Sequence, residues 1–170
     1  MKKKIKYLDP SIERKKRITD SSFQMIKGTN IPLPSEVEIS ESGICNRKCS
    51  FCPRSDPNYE HVQEFISAKL HSKLIRELKD LNYRGVVRYS GFVEPLLDKN
   101  IFKLINETKR NIPKSKCEIV TNGDVLNISR LKKLFTNGLD TLLISVYDGP
   151  EHVIKFQKMC DKAKLKKNQY

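Results

Sequence analysis

The chain has 170 residues, a formal net charge of +13, 38% hydrophobic residues and 31% charged residues. That length supports one domain with its own core, and the composition excludes a disordered chain. No apolar run approaches the length that spans a membrane, and no hydrophobic stretch follows the basic start Met1-Lys2-Lys3-Lys4-Ile5-Lys6, so a cytoplasmic location without a signal peptide is expected.

Residues 1–34 read as a polar, irregular lead-in that ends in Ile31-Pro32-Leu33-Pro34, where the prolines exclude a regular helix. A core is expected over 35–166 and a basic tail over 167–170. Ser35-Glu36-Val37-Glu38-Ile39-Ser40 alternates polar and apolar residues, which predicts a first strand. Gly43, Pro53, Asp56, Pro57 and Asn58 mark the following stretch as loop and turn. Ser67 is placed to cap a helix over about 68–81, with Leu70, Leu74, Leu78 and Leu81 on one stripe and Ile75 beside it.

Gly85 to Ser90 predicts a second strand running into Gly91-Phe92-Val93-Glu94-Pro95. Asp98 is placed to cap a helix over about 99–110 that turns Ile101, Leu104 and Ile105 inward. Cys117 to Thr121 predicts a third strand, stopped by Asn122-Gly123. A short helix over about 128–136 is capped by Asn127 and closed by Gly138. Leu139 to Val146 predicts a fourth strand, and Asp148-Gly149-Pro150 turns into a last helix with Val153, Phe156, Cys160 and Ala163 on one face. Strand and helix thus alternate four times with short connections, which predicts an α/β fold with a parallel sheet and right-handed crossovers. Ligands gather at the C-terminal ends of strands in such sheets.

Basic residues cluster at both ends. Lys2, Lys3, Lys4, Lys6, Arg14, Lys15, Lys16 and Arg17 face only Asp9 and Glu13, and the tail carries Lys162, Lys164, Lys166 and Lys167. Such ends suit RNA or an acidic partner, or are a solvated surface. No RNA-binding signature interleaves aromatics with these charges.

Cys45, Cys49 and Cys52 stand close together in Cys45-Asn46-Arg47-Lys48-Cys49-Ser50-Phe51-Cys52. Three thiolates can hold three corners of a four-iron cube and leave the fourth iron open to a small molecule. A structural zinc site wants a fourth ligand, which Cys117, Cys160, His61, His71 or His152 would have to provide, none at finger-like spacing. A ferredoxin-type cluster wants a fourth cysteine at a recognisable offset. Five cysteines are an odd number, and a reducing compartment disfavours disulfides. Cys117 and Cys160 lie in apolar patterns and read as buried structural residues.

The cysteine spacing and the aromatic Phe51 before the last cysteine resemble the radical S-adenosylmethionine (radical SAM) enzymes. Further signals in order carry the resemblance from residue 35 to about 150. Ser90-Gly91-Phe92-Val93-Glu94-Pro95 is similar to the family's Gly-Gly-Glu-Pro segment, with Phe92 and Val93 at the two glycine positions. Thr121-Asn122-Gly123 is similar to its turn after the third strand, and Ser145 to the polar position ending the fourth. The resemblance implies a [4Fe-4S] cluster on Cys45, Cys49 and Cys52, with S-adenosylmethionine (SAM) on its open iron. It places Phe51, Gly91, Glu94, Asn122 and Ser145 around SAM: Phe51 near adenine (core packing being the plainer reading), Glu94 at the ammonium and Ser145 at the ribose. It implies reductive cleavage of SAM to a 5′-deoxyadenosyl radical, hydrogen abstraction from a substrate that the sequence does not identify, and an external one-electron reductant.

The Cys-Pro ending and the Ser-Gly-Phe-x-Glu-Pro form look most like the SPASM-type branch, although no cysteine-rich tail follows here. The family core usually has six strand-helix units and this chain shows four. A partial (β/α) barrel is therefore expected, open at its fourth strand, with the remainder supplied by a longer product or a partner chain. The alternative is a truncated or degenerate non-catalytic protein that binds a cluster or zinc and uses its basic ends on RNA.

Overall fold

A computed structural model describes residues 10–170. Lys2, Lys3, Lys4 and Lys6 of the basic start lie outside the described residues. The elements are α1 (Pro10–Ser22), β1 (Glu36–Ile39), α2 (Ala68–Asp80), β2 (Val86–Tyr89), α3 (Ile101–Asn111), β3 (Lys116–Thr121), α4 (Ile128–Thr136), β4 (Thr141–Ile144) and α5 (Pro150–Lys162), with short 3-10 turns at Pro53–Ser55 and Pro95–Leu97. All strand pairs are parallel, in the order β1-β2-β3-β4. The sheet is therefore open, with β1 and β4 at its edges.

Registration fixes the two faces. Val37, Val87 and Cys117 are partners across three strands, as are Glu38, Arg88 and Glu118. The first set, with Ile39, Tyr89, Ile119 and Leu142, joins the hydrophobic core that Ile75, Leu78, Leu104, Ile105, Leu131 and Leu134 complete from the helices. The second set carries charge. Arg88 pairs with Glu36 and, at 3.1 Å, with Glu118, while Arg14 of α1 also reaches Glu118.

Part of the lead-in is thus helical rather than irregular. α1 lacks an apolar stripe, and of its described side chains only Ile18 is a buried hydrophobic one. Its hold on the sheet includes a charge pair that no local pattern reveals.

The stripe of α2 is also turned from the expected one. His71, Ile75 and Leu78 are buried, whereas Leu70 and Leu81 are exposed. The polar His71 is accommodated because both ring nitrogens are bonded, Nδ1 to Glu107 Oε2 at 2.8 Å and Nε2 to the Tyr89 hydroxyl at 2.8 Å. That hydroxyl also bonds Thr108 Oγ1 at 2.7 Å.

Ser67 and Asn127 cap α2 and α4 as their positions predict, accepting from Leu70 N and Arg130 N. Asp98 does not cap α3 directly; its Oδ1 accepts from Asn100 N at 2.7 Å, and Asn100 begins the helix. On α5, Phe156, Cys160 and Ala163 are buried but Val153 is exposed. The β4 edge is not wholly bare: Leu142 N donates to Gln169 O at 2.8 Å, so the chain's own tail meets it.

Candidate active site

The cysteine loop leaves β1 and folds tightly on itself. Cys52 N donates to Cys49 O and Ser55 N to Cys52 O, both at 2.9 Å, and Arg47 N donates to Cys45 Sγ at 3.4 Å. Cys45, Cys49 and Cys52 are free and partly exposed. They line a cavity of about 220 Å³ together with Phe51, Gly91, Glu94, Asn122 and Ser145. The residues that the resemblance assigns to the cluster and SAM thus meet at one place, where the loops after β1, β2, β3 and β4 converge.

Three thiolates on one loop are a donor set that a four-iron cube accepts. Among the described residues no three His, Cys, Asp or Glu side chains form a group that could hold one metal ion. A cube takes each thiolate on a different iron, so its ligands need only share a cavity. His71, one of the residues weighed as a zinc ligand, is engaged in the core. Cys117 and Cys160 are fully buried, and burial pushes the Cys117 thiol up to about 12 and the Cys160 thiol above its ordinary range. Both pack in the hydrophobic core.

Glu94 is only 1% exposed. Its Oε1 accepts from Leu96 N at 3.0 Å and from the Thr121 hydroxyl at 2.6 Å, and its Oε2 accepts from Asn122 N at 2.7 Å. Burial raises its pKa and these bonds oppose the rise. The carboxylate thereby joins the loop after β2 to the turn after β3. Gly91 has φ +126°, and a Cβ there would lie 2.2 Å from Ser40 Oγ, so any other residue would be strained and would displace that hydroxyl.

Asn122 is occupied as well. Its Nδ2 donates to Asn46 Oδ1 at 2.8 Å, tying the turn to the cysteine loop. The Ser145 hydroxyl has no hydrogen bond among the described residues, while its backbone N donates to Thr121 O at 2.8 Å. Phe51 is 70% exposed with its ring 5.3 Å from that of Tyr147, so it is not a core residue.

Sequence reasoning missed three polar residues around the cysteines. Arg47 makes two bidentate pairs. Nε and Nη2 reach Asp124 at 2.7 and 2.5 Å, and Nη1 and Nη2 reach Asp148 at 2.9 and 2.5 Å. These bonds hold the Asp124 and Asp148 carboxyls below their ordinary range. They staple the cysteine loop to the loops after β3 and β4.

Arg54 is 7% exposed, lines the cavity, and gives Nη1 to Gly43 O at 2.8 Å and Phe92 O at 3.2 Å. Glu41, just after β1, is fully buried, with Ser42 Oγ donating to Oε1 at 3.2 Å and Oε2 unpartnered. Burial first, then the charges of Asp98 and Glu94, push its carboxyl up to about 7 against opposing hydrogen bonds.

A three-cysteine loop at the C-terminal ends of a parallel sheet, facing a cavity, defines a class. The model of the Radical SAM superfamily matches residues 39–168, and the chain belongs to that superfamily. Its members are enzymes that use a [4Fe-4S] cluster and SAM.

Among its relatives is the S-adenosyl-L-methionine-dependent 2-deoxy-scyllo-inosamine dehydrogenase of Niallia circulans, 32% identical over 129 residues that make up 76% of this chain and 50% of the relative. A GTP 3′,8-cyclase of Psychromonas ingrahamii is 31% identical over 111 residues, 65% of this chain and 32% of the relative. Among solved structures, BtrN in complex with AdoMet and 2-DOIA matches with a TM-score of 0.68 and 30% identity, covering 76% of this chain and 52% of that one. The chain spans about half the length of the first of these relatives and of BtrN. No helix among the described residues is long and apolar enough to cross a membrane.

Proposed function

We propose that Cys45, Cys49 and Cys52 hold a [4Fe-4S] cluster and that the adjoining cavity binds SAM. Bound together, the two groups supply one-electron cleavage of SAM to methionine and a 5′-deoxyadenosyl radical that abstracts hydrogen from a substrate. The observation that carries this reading is the convergence of the three cysteines with Gly91, Glu94, Asn122 and Ser145 on one cavity.

In this reading the residues have separate tasks. Glu94 offers its buried carboxylate to the SAM ammonium, a charge-assisted partner. Gly91 lets the ligand approach the backbone, and the Ser145 hydroxyl is free to accept or donate at the ribose. The exposed Phe51 and Tyr147 rings flank the mouth, where the adenine would lie. Asn122 positions rather than binds, through Asn46. An external one-electron donor reduces the cluster, and a reducing cytoplasm is a suitable setting. The outer edge of β4 is where further strands, from this product or a partner, would extend the barrel.

The similarity to a SAM-dependent dehydrogenase favours a substrate oxidised at a C–H bond, and its identity stays open beyond that class. The test is anaerobic incubation of reconstituted protein with SAM and dithionite, with 5′-deoxyadenosine as the product followed. Its reductant-dependent formation is expected. An iron-loaded chain that neither binds nor cleaves SAM would overturn the proposal.

A further inference from the structure

Two cations line the cavity of the three cysteines, and they differ in what they have left to give. Arg47 is consumed by Asp124 and Asp148. Arg54 makes no ion pair with any carboxylate among the described residues. Its Nη1 is anchored by two backbone carbonyls, its guanidinium lies 5.4 Å from the Tyr59 ring centroid, and its buried Nε has no partner. No protein acceptor takes Nη2 among the described residues. A guanidinium stays charged at any working pH, and a buried one without a carboxylate is costly unless something else supplies the negative charge.

We propose that Arg54 is a positioning residue for electron entry: its fixed positive charge balances the cluster and sets the cluster's reduction potential. The inference rests on the proposed cluster site. A cube held by three thiolates is anionic and gains one further negative charge when an external donor reduces it by one electron. The potential of such clusters follows net charge and the hydrogen bonds that reach their sulfurs. An immobile cation on the same cavity therefore stabilises the reduced state more than the oxidised one. Gly43 and Phe92 carbonyls fix the guanidinium, so it does not have to reorganise when the electron arrives.

The experiment is a redox titration of the 170-residue chain, reconstituted anaerobically and followed by electron paramagnetic resonance without SAM. Iron per chain is measured alongside, and SAM affinity is measured separately. Arg54→Gln is expected to shift the potential negative by about 59 mV, a tenfold change in the reduced-to-oxidised ratio of a one-electron couple. Arg54→Lys keeps the charge and is expected near the parental value. The signal comes only from clusters that are bound, so partial iron loss does not blur it.

A parental potential in Arg54→Gln overturns the inference. If that variant also loses SAM affinity, Arg54 instead serves SAM. Complete loss of iron from both variants overturns it too, leaving Arg54 as a scaffold for its two carbonyls. Failure of the unsubstituted chain to take up a four-iron cluster overturns the proposed function, and this inference with it.

Discussion

The helix-covered face of the sheet and the ring of loops at its C-terminal end are held together by different forces. On the face, Val87, Tyr89, Cys117, Ile119 and Leu142 are buried against Ile105, Leu131 and Leu134. Such contacts are non-directional and scale with buried apolar area. In the loops the joints are polar and specific: Glu94 to Thr121 and Asn122, Asn122 to Asn46, and Arg47 to Asp124 and Asp148. The face keeps the chain folded, whereas the loops keep the cysteines in place. Stability and cluster retention should therefore respond to different substitutions.

Leu131→Ala tests the first half of that separation with the largest effect. Leu131 is fully buried, and truncation of such a residue costs about 2–5 kcal/mol through lost burial and the cavity left behind. Urea unfolding should show that loss, while iron per folded chain at low temperature stays at the parental level. A variant that unfolds normally but releases its iron would break the comparison.

Glu41 lies where the two regions meet, and its effect is pH-dependent. Its ordinary value is 4.5 and burial carries it up to about 7 in the folded chain. Between those values the folded chain holds a proton that the unfolded chain has released, so stability falls as pH rises through the window and levels off above it. At about 1.4 kcal/mol per unit the loss is at most about 3 kcal/mol. Glu41→Gln should flatten this slope in urea midpoints taken at about pH 5 and about pH 8. An unchanged slope would mean that another group carries it.

Arg47→Ala is expected to change stability least. Its partners are partly exposed, and solvent screens such pairs. The thermal midpoint should barely move, yet iron should pass to a chelator several-fold faster because the cysteine loop is no longer stapled. Arg47→Lys should be intermediate, since an ammonium cannot form two bidentate pairs. Equal release rates in all three proteins would show that the staple does not secure the cluster loop.

The sequence makes some of this division readable and hides the rest. Strand-helix alternation and the Ser67 and Asn127 caps are local patterns, and each appears where the sequence predicts it, while the cysteine spacing is a local pattern that nominates a site. α1 is hidden because it has no apolar stripe and bonds Glu118 across 104 residues. The α2 stripe is misread because His71 is buried by bonds to Tyr89 and Glu107, which propensity cannot show. Arg47 finds its two aspartates 77 and 101 residues away. Nothing in Cys45-Asn46-Arg47-Lys48-Cys49 distinguishes that arginine from a surface charge. Glu94 and Asn122 are readable as candidate site residues, but their role in joining loops emerges only in three dimensions.

The central claim is that Cys45, Cys49 and Cys52 together hold a four-iron cluster whose open iron meets SAM. It is tested most directly by iron and sulfide analysis of the anaerobically reconstituted chain, with electron paramagnetic resonance of the reduced cluster before and after SAM. Close to one four-iron cluster per chain is expected, with a spectrum that SAM perturbs and with most of the iron lost in Cys45→Ala, Cys49→Ala or Cys52→Ala. Tight stoichiometric zinc without iron–sulfur absorbance, or a cluster whose spectrum ignores SAM, would contradict it.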